Sequence, residues 1–465
     1  DIVEGGPGDD DVDLGGGGDS VVWQPGDGND QIRGGGGNDT LTFVGADDDE
    51  ALRLAPRGTR ARLTRDVDAV ALTLQDLEHV DVHSVNGNDT LAVGDLTGTG
   101  IRTVEHDEAN SPDGTSPDVG DDRTIVRGTQ GDDAVVVKGS GTEATVTGLA
   151  ATVKVVGGDA TRDVLEIRTV GGKDTIRASG YDAGASTLSV DAGTDDDTVI
   201  GSRGADVLKG GGGADTIKGG DSADTIEGDA GADTLQGGAG DDHFAWDHGD
   251  GNDTVLGQSG RNDTLTFTGT DAAERIDLTA NGGRLSVTRN IGHIALDVNR
   301  VENIEINPLG GADRVFVHSL IGTDGRTVHI DLAPTSGARD LEPDSITVDG
   351  SDHGDIITAA GSGGQASVAV GLASVDITHA DASLDQLTLR GRGGGDIIAA
   401  DKLHADGGLH ADAIGLQIDG GDDNDILSGG DGDDIIFGGD GADIINGGPG
   451  NDTLHGGPED IVNQD

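Results

Sequence analysis

An aspartate recurs every nine residues through the middle of this chain, at Asp197, Asp206, Asp215, Asp224, Asp233 and Asp242. Two residues after each stands a large apolar side chain: Val199, Leu208, Ile217, Ile226, Leu235 and Phe244. A glycine-rich run precedes each aspartate, as in GGGGADTIK from Gly210 to Lys218. Carboxylates beside exposed backbone carbonyls are hard oxygen ligands, the donor set that suits calcium. The elements that must hold them follow from the same spacing. Glycine loses the most entropy on ordering, so the glycine-rich part is neither helix nor packed strand but a turn. The last three residues of each phrase suit a very short strand with one side chain pointing inward. Stacked turns would line up one apolar column and one aspartate column. Like charges at a strand spacing of ~5 Å repel, so the second column needs a counter-ion.

The same phrase returns towards both ends. Near the start it places Asp10, Asp30 and Asp39, and Gly15 to Trp23 fits with Ser20 in the aspartate position. Past Trp246 it continues through Asp253 and Asp263. From Gly420 it runs GGDDNDILS, GGDGDDIIF, GGDGADIIN and GGPGNDTLH, which adds Asp425, Asp434, Asp443 and Asp452. The fifteen aspartates named so far are the predicted metal ligands. The contiguous pattern G-G-x-G-x-D-x-U-x, with U apolar, resembles the RTX (repeats-in-toxin) hemolysin-type calcium-binding proteins. That resemblance implies a parallel β-roll in which two nonapeptides make one coil. It also implies several structural Ca2+ ions held by aspartate carboxylates and loop carbonyls, and type I secretion of an unfolded chain that folds outside the cell.

Composition points the same way. The chain has 465 residues, 85 of them glycine, with a formal net charge of -59 and only 2% aromatic residues. Such a chain buries too little per residue for a large globule, whereas a thin solenoid needs only a narrow aliphatic core. The charge argues against nucleic acid as a partner, and no apolar run is long enough to span a bilayer. Cysteine and methionine are both missing. The first fits an exported protein stabilised by metal rather than disulfides, and the second leads us to expect a chain processed or excised from something longer.

Between the nonapeptide blocks lie spacers with their own phrase: strand, Gly-Asp turn, strand. Leu165 to Ile176 is one example, and it matches Leu387 to Ile398. Phe43 matches Phe267, and Leu77-Glu78 matches Val301-Glu302. The offset is nearly constant along these matches, so the chain reads as a tandem duplication of a unit of about 225 residues. The expected organisation is all-β: nonapeptide blocks at 1-43, 191-266 and 419-465, with β-rich spacers at 44-190 and 267-418. The spacers are expected to continue the coil as one β-solenoid, or parallel β-helix, of about 20 to 25 residues per coil; separate antiparallel sandwiches are the competing architecture. Ser111 to Asp122 is expected to be an exposed loop, and the scattered histidines are expected at the surface or in turns. Spacer aspartates Asp89, Asp133, Asp174, Asp313, Asp355 and Asp396 follow Gly-rich turns but stand isolated in the sequence.

No H-E-x-x-H or G-x-S-x-G motif occurs, and Gly171-Gly172-Lys173 lacks the hydroxyl residue of a P-loop. The chain is therefore expected not to be an enzyme. The expected function is that of a secreted, extracellular calcium-binding structural protein: a cell-surface, surface-layer, adhesin or extracellular filament segment. Its partners would be calcium ions and either copies of itself end to end or cell-surface glycans, with no nucleic acid and no membrane insertion. The alternatives are the non-catalytic region of a larger type-I-secreted enzyme or toxin, and a polysaccharide-modifying β-helix enzyme.

Overall fold

The computed structural model describes residues 1–110, 117–184, 186–334, 341–403 and 414–464. The chain forms two compact units, Asp1–Gly240 and Asp241–Asp465, and the division falls inside the segment 191–266. Among the described residues the only helical turns are two 3-10 segments, Val67–Ala69 and Ile291–His293; everything else regular is strand. No helix there is long and apolar enough to cross a membrane.

In the central block the strands run longer than the three residues expected, because Val207–Gly213 and Thr216–Asp221 extend into the glycine run, and successive strands cross one face and return over the other. Thr198, Thr216 and Thr234 pair in register in one parallel sheet, and Val207 pairs with Thr225 in the opposite sheet. One coil, from Thr198 to Thr216, is therefore two nonapeptides, shorter than the coil length expected for the solenoid as a whole. Identical phrases stacked in register put like on like. Val199, Ile217 and Leu235 from one sheet and Leu208 and Ile226 from the other are buried, and they fill the space between the sheets. Each inward side chain contributes roughly 1.5–3 kcal/mol of apolar burial.

The spacers keep the two-sheet, parallel plan but lengthen the rung. Val164 pairs with Thr187, a short step, whereas Arg123 pairs with Val164, a step nearly twice as long. The extra length is an antiparallel meander. In the first unit, Arg60–Arg65 lies between Ala51–Arg57 and Ala71–Gln75, antiparallel to both. The outer strands of this trio then pair in parallel with ordinary rungs, Ala71–Gln75 on Gln31–Arg33 and Ala51–Arg57 on Thr90–Val93. A second meander, Ala134–Ser140, Glu143–Thr147 and Thr152–Val156, does the same in the opposite sheet. The second unit has the same order, with meanders at Arg275–Asn281, Arg284–Arg289, Ile294–Asn299 and at Ile356–Ser362, Gln365–Val370, Ala373–Thr378. The described residues of the spacers are thus solenoid rungs, and among them no separate sandwich is formed. A middle strand that runs backwards satisfies both inner edges of its neighbours and leaves their outer edges free for parallel rungs.

Two local expectations fail. Of the loop expected at Ser111 to Asp122, residues 111–116 lie outside the described residues. Its far end is exposed only in part: Val119 and Asp121 are exposed, whereas Asp118 and Asp122 are buried. Nor are all histidines peripheral: His106 is wholly buried. Both are inward because they flank rungs, the strands Thr103–Asp107 and Arg123–Arg127.

Candidate metal centre

At each rung corner the aspartate turns its carboxylate inward, beneath the glycine turn. Of the fifteen predicted ligands, Asp10 is half-buried and the other fourteen are buried. They join end to end through one repeated hydrogen bond. The Asp197 backbone N–H donates to Asp215 Oδ1 at 2.7 Å, and the Asp215 N–H donates to Asp233 Oδ1 at 2.7 Å. Asp206 donates to Asp224 in the opposite corner at 2.9 Å. In the second unit the Asp425 N–H donates to Asp443 and the Asp434 N–H to Asp452, at 2.9 and 3.1 Å. At the start, Asp10 donates to Asp30 at 2.9 Å.

This bond uses one carboxylate oxygen and strands the other. In Asp10, Asp39, Asp197, Asp215, Asp263, Asp425, Asp443 and Asp452 the buried Oδ2 has no hydrogen-bond partner. Burying an unpaired ionised oxygen costs several kcal/mol, so a column of them requires protons or cations. Burial pushes the carboxyls of Asp197 and Asp425 up to about 7, with neighbouring aspartate charges adding to the effect. Asp206 and Asp263 are pushed up to about 6, again by burial.

The contacts around the glycine that opens most of the phrases show which oxygens converge there. A Cβ built on Gly350 falls 2.8 Å from Asp355 Oδ2 and 2.8 Å from the Gly391 carbonyl of the next rung. A Cβ on Gly210 would overlap Asp215 Oδ2 and lie 2.8 Å from the Gly228 carbonyl. The missing side chain thus lets a carboxylate and a carbonyl oxygen converge against the glycine, and this pair of oxygens is the cradle. Calcium binds such oxygens at roughly 2.3–2.6 Å. The second glycine is required for a different reason: Gly211 has φ +96° and packs directly over the Gly193 carbonyl.

Four segments match the model of the RTX calcium-binding nonapeptide repeat, residues 26–49, 191–225, 218–245 and 419–457. These are RTX repeats. The matched segments follow the nonapeptide blocks and leave most of the spacers unmatched. No curated protein matches the chain. The RTX repeats make this a calcium-binding repeat protein, and the cradle chemistry fits that ion. The Oδ2 atoms of the phrase aspartates and the carbonyls of the opening residues would hold it. When bound, calcium supplies positive charge to the column; the chain itself supplies the oxygens and the alignment.

The structure also brings in residues that the nonapeptide spacing missed. In the first RTX block the corner residue is Asp19 rather than Ser20: Asp19 N–H donates to Asp39 Oδ1 at 2.9 Å, its Oδ2 has no partner, and Val21 is the inward residue. The phrase there begins at Leu14, one residue earlier, and D-x-U was the available signal. The spacer aspartates are not isolated. Asp133 donates to Asp174 and Asp174 to Asp197, each at 2.7 Å, so a spacer column runs into an RTX column. Asp355, Asp396 and Asp425 are joined likewise at 2.6 and 2.7 Å. Glu50, Asp89, Asp122 and Asp163 form another column, as do Glu274, Asp313, Asp344 and Asp385.

The cradle yields a sharp expectation. Gly210→Ala should raise the calcium concentration at half-folding several-fold, a loss of about 1–3 kcal/mol, because the methyl takes the space beside Asp215 Oδ2. Gly212→Ala is the control: nothing lies within 4 Å of its Cβ position. Circular dichroism titrations of the two variants check this, and equal midpoints would remove the cradle as the ion's place.

Proposed function

We propose that this protein is a secreted structural protein whose RTX blocks fold when calcium fills the carboxylate columns, and that it forms a segment of a cell surface, surface layer, adhesin or extracellular filament. The observation that carries the reading is the set of buried, unpartnered Oδ2 atoms, most of them against a glycine that leaves no side chain in the way, as at Asp39, Asp215, Asp263, Asp425, Asp443 and Asp452. Without cations that set opposes folding. A chain with it stays unfolded where calcium is scarce and folds where calcium is plentiful, which matches export before folding. The ions' role in this reading is structural, with no catalytic step. Repeated units suit a scaffold that associates end to end with its own copies or binds surface glycans.

The test is a calcium titration of the whole chain followed by far-ultraviolet circular dichroism. We expect a folding midpoint in the range of extracellular calcium modules, about 10⁻⁴–10⁻³ M. A chain already fully folded at roughly 10⁻⁷ M, where intracellular sensors begin to respond, would sink the export-coupled role.

A further inference from the structure

The two units are an internal comparison, and they differ most tellingly in one place. In the first unit the buried residues in and after the strand Thr103–Asp107 include His106 and Glu108, and the strand Arg123–Arg127 of the opposite sheet adds Thr124. The duplicated positions in the second unit are Ile330, Leu332 and Ile346, all buried and apolar. The corner aspartates are kept in both, Asp122 and Asp163 in the first and Asp344 and Asp385 in the second. The same scaffold thus packs with hydrocarbon in one copy and holds an extra carboxylate in the other. Exchanging buried leucine for glutamate is strongly destabilising unless the charge is compensated.

The compensation is not a lysine or an arginine. One carboxylate oxygen from each of Glu108, Asp122 and Asp163 lies within 4.8 Å of the others. Among the described residues no lysine or arginine forms an ion pair with any of the three. The basic group that reaches them is the His106 imidazole, its Nδ1 3.1 Å from Glu108 Oε1. Glu108 Oε1 also accepts from the Thr124 hydroxyl at 2.9 Å, and Thr124 Oγ1 lies 2.7 Å from His106 Nδ1. The Ser84 hydroxyl is 2.9 Å from His106 Nε2. The Ser84 hydroxyl also donates to the Asp107 carbonyl at 3.3 Å, and the hydrogen-bonded chain from Ser84 through His106 and Thr124 ends on Glu108 Oε1. That leaves Glu108 Oε2 and Asp122 Oδ2, both buried and neither with a hydrogen-bond partner. The neighbouring Asp118, whose N–H faces the Glu108 carbonyl at 3.5 Å, adds a third unpartnered oxygen, its Oδ2.

We propose that Glu108, Asp122 and Asp163 form a further divalent-cation site, outside the RTX repeats and present in the first unit alone, that takes calcium. An all-oxygen, carboxylate-rich donor set with irregular spacing suits calcium's flexible coordination better than the strict octahedron of magnesium. His106, Thr124 and Ser84 act as positioning residues, fixing Glu108 so that Oε2 faces the ion. The site joins the corner of three long spacer rungs, where no nonapeptide repeat is present to bind calcium.

The decisive measurement is an anomalous difference map from crystals of the whole calcium-loaded chain exchanged with Mn2+ or Tb3+. We expect a peak between Glu108 Oε2 and Asp122 Oδ2 in addition to peaks in the RTX turns. E108Q should lose that peak and keep the others. Peaks in the RTX turns with none at this cluster in the wild-type protein would overturn the site, and would leave the RTX columns untouched. Thermal unfolding in millimolar calcium gives a second readout. Glu108→Leu, the residue of the second unit, should lower the midpoint, because an ion is lost. A raised midpoint would mean that leucine merely relieves an uncompensated charge, and would also overturn the proposal.

Discussion

In calcium-depleted buffer, lowering the pH from 8 to 5.5 should convert the chain from a largely disordered state to a β-rich one. The column carboxyls are the reason. In the fold, burial holds Asp89, Asp197 and Asp425 at about 7, Asp163, Asp206 and Asp263 at about 6, and Asp122 at about 9. An unfolded aspartate titrates near 3.9. The folded values are raised, so protonation stabilises the fold. That stabilisation is complete below the unfolded value and is lost as pH rises through 6 to 9. A tenfold rise in one carboxyl's proton affinity on folding corresponds to about 1.4 kcal/mol. Several such groups together rival the whole stability of an ordinary domain, about 5–15 kcal/mol. Protons and calcium should therefore be interchangeable as counter-charges, and calcium binding near pH 6.5 should release protons. Circular dichroism at the two pH values, with and without calcium, reads the first effect, and a pH-stat reads the second. A calcium-free spectrum that is the same at both pH values would contradict the burial of ionised columns.

A comparably large loss is expected from Arg65→Met. Glu50 and Glu274 head the two mixed columns, and each receives a buried arginine instead of depending on an ion alone. The Arg65 Nε donates to Glu50 Oε1 at 2.7 Å, and Arg289 pairs with Glu274 in the second unit. Each guanidinium lies beside a buried tryptophan, 5.9 Å from the Trp23 ring and 5.8 Å from Trp246. Each tryptophan stacks on a phenylalanine, Phe43 at 4.4 Å and Phe267 at 4.2 Å between ring centroids. Breaking a buried ion pair by removing one partner costs about 3–5 kcal/mol, because the other charge stays buried. R65M should thus destabilise the first unit by that amount in saturating calcium, and E50Q/R65M should recover most of it. Trp23 is the only tryptophan of its unit, so denaturant unfolding in a W246F background reports on that unit by fluorescence. A change in R65M below ~1 kcal/mol, the range of an exposed pair, would show the pair to be dispensable.

The nonapeptide itself determined a great deal. Its fixed period, its glycine turns and its single apolar residue leave one economical solution, a coil of two short strands with the apolar residue inside. The aspartate column and its need for calcium follow from stacking identical phrases in register. Asp215 and Ile217 could be assigned their places from spacing alone, because the phrases before and after them repeat the same two residue types. The spacers do not obey that arithmetic. Their rungs are unequal in length, since a meander strand is inserted in some and not in others, so no fixed period links Asp89 to Asp122 or Asp133 to Asp174. Only the pairing of the strands decided that they continue the columns. Asp19 shows the smaller version of the same effect, where register in the sheet and not the best glycine match selects the corner residue. The carboxylate cluster is the extreme case. Glu108 and Asp163 are far apart in the sequence, on opposite sides of a meander. Local sequence carries no record of a contact made across that distance; the cost of burying both charges, and hence the need for a cation, exists only once the rungs have closed around them.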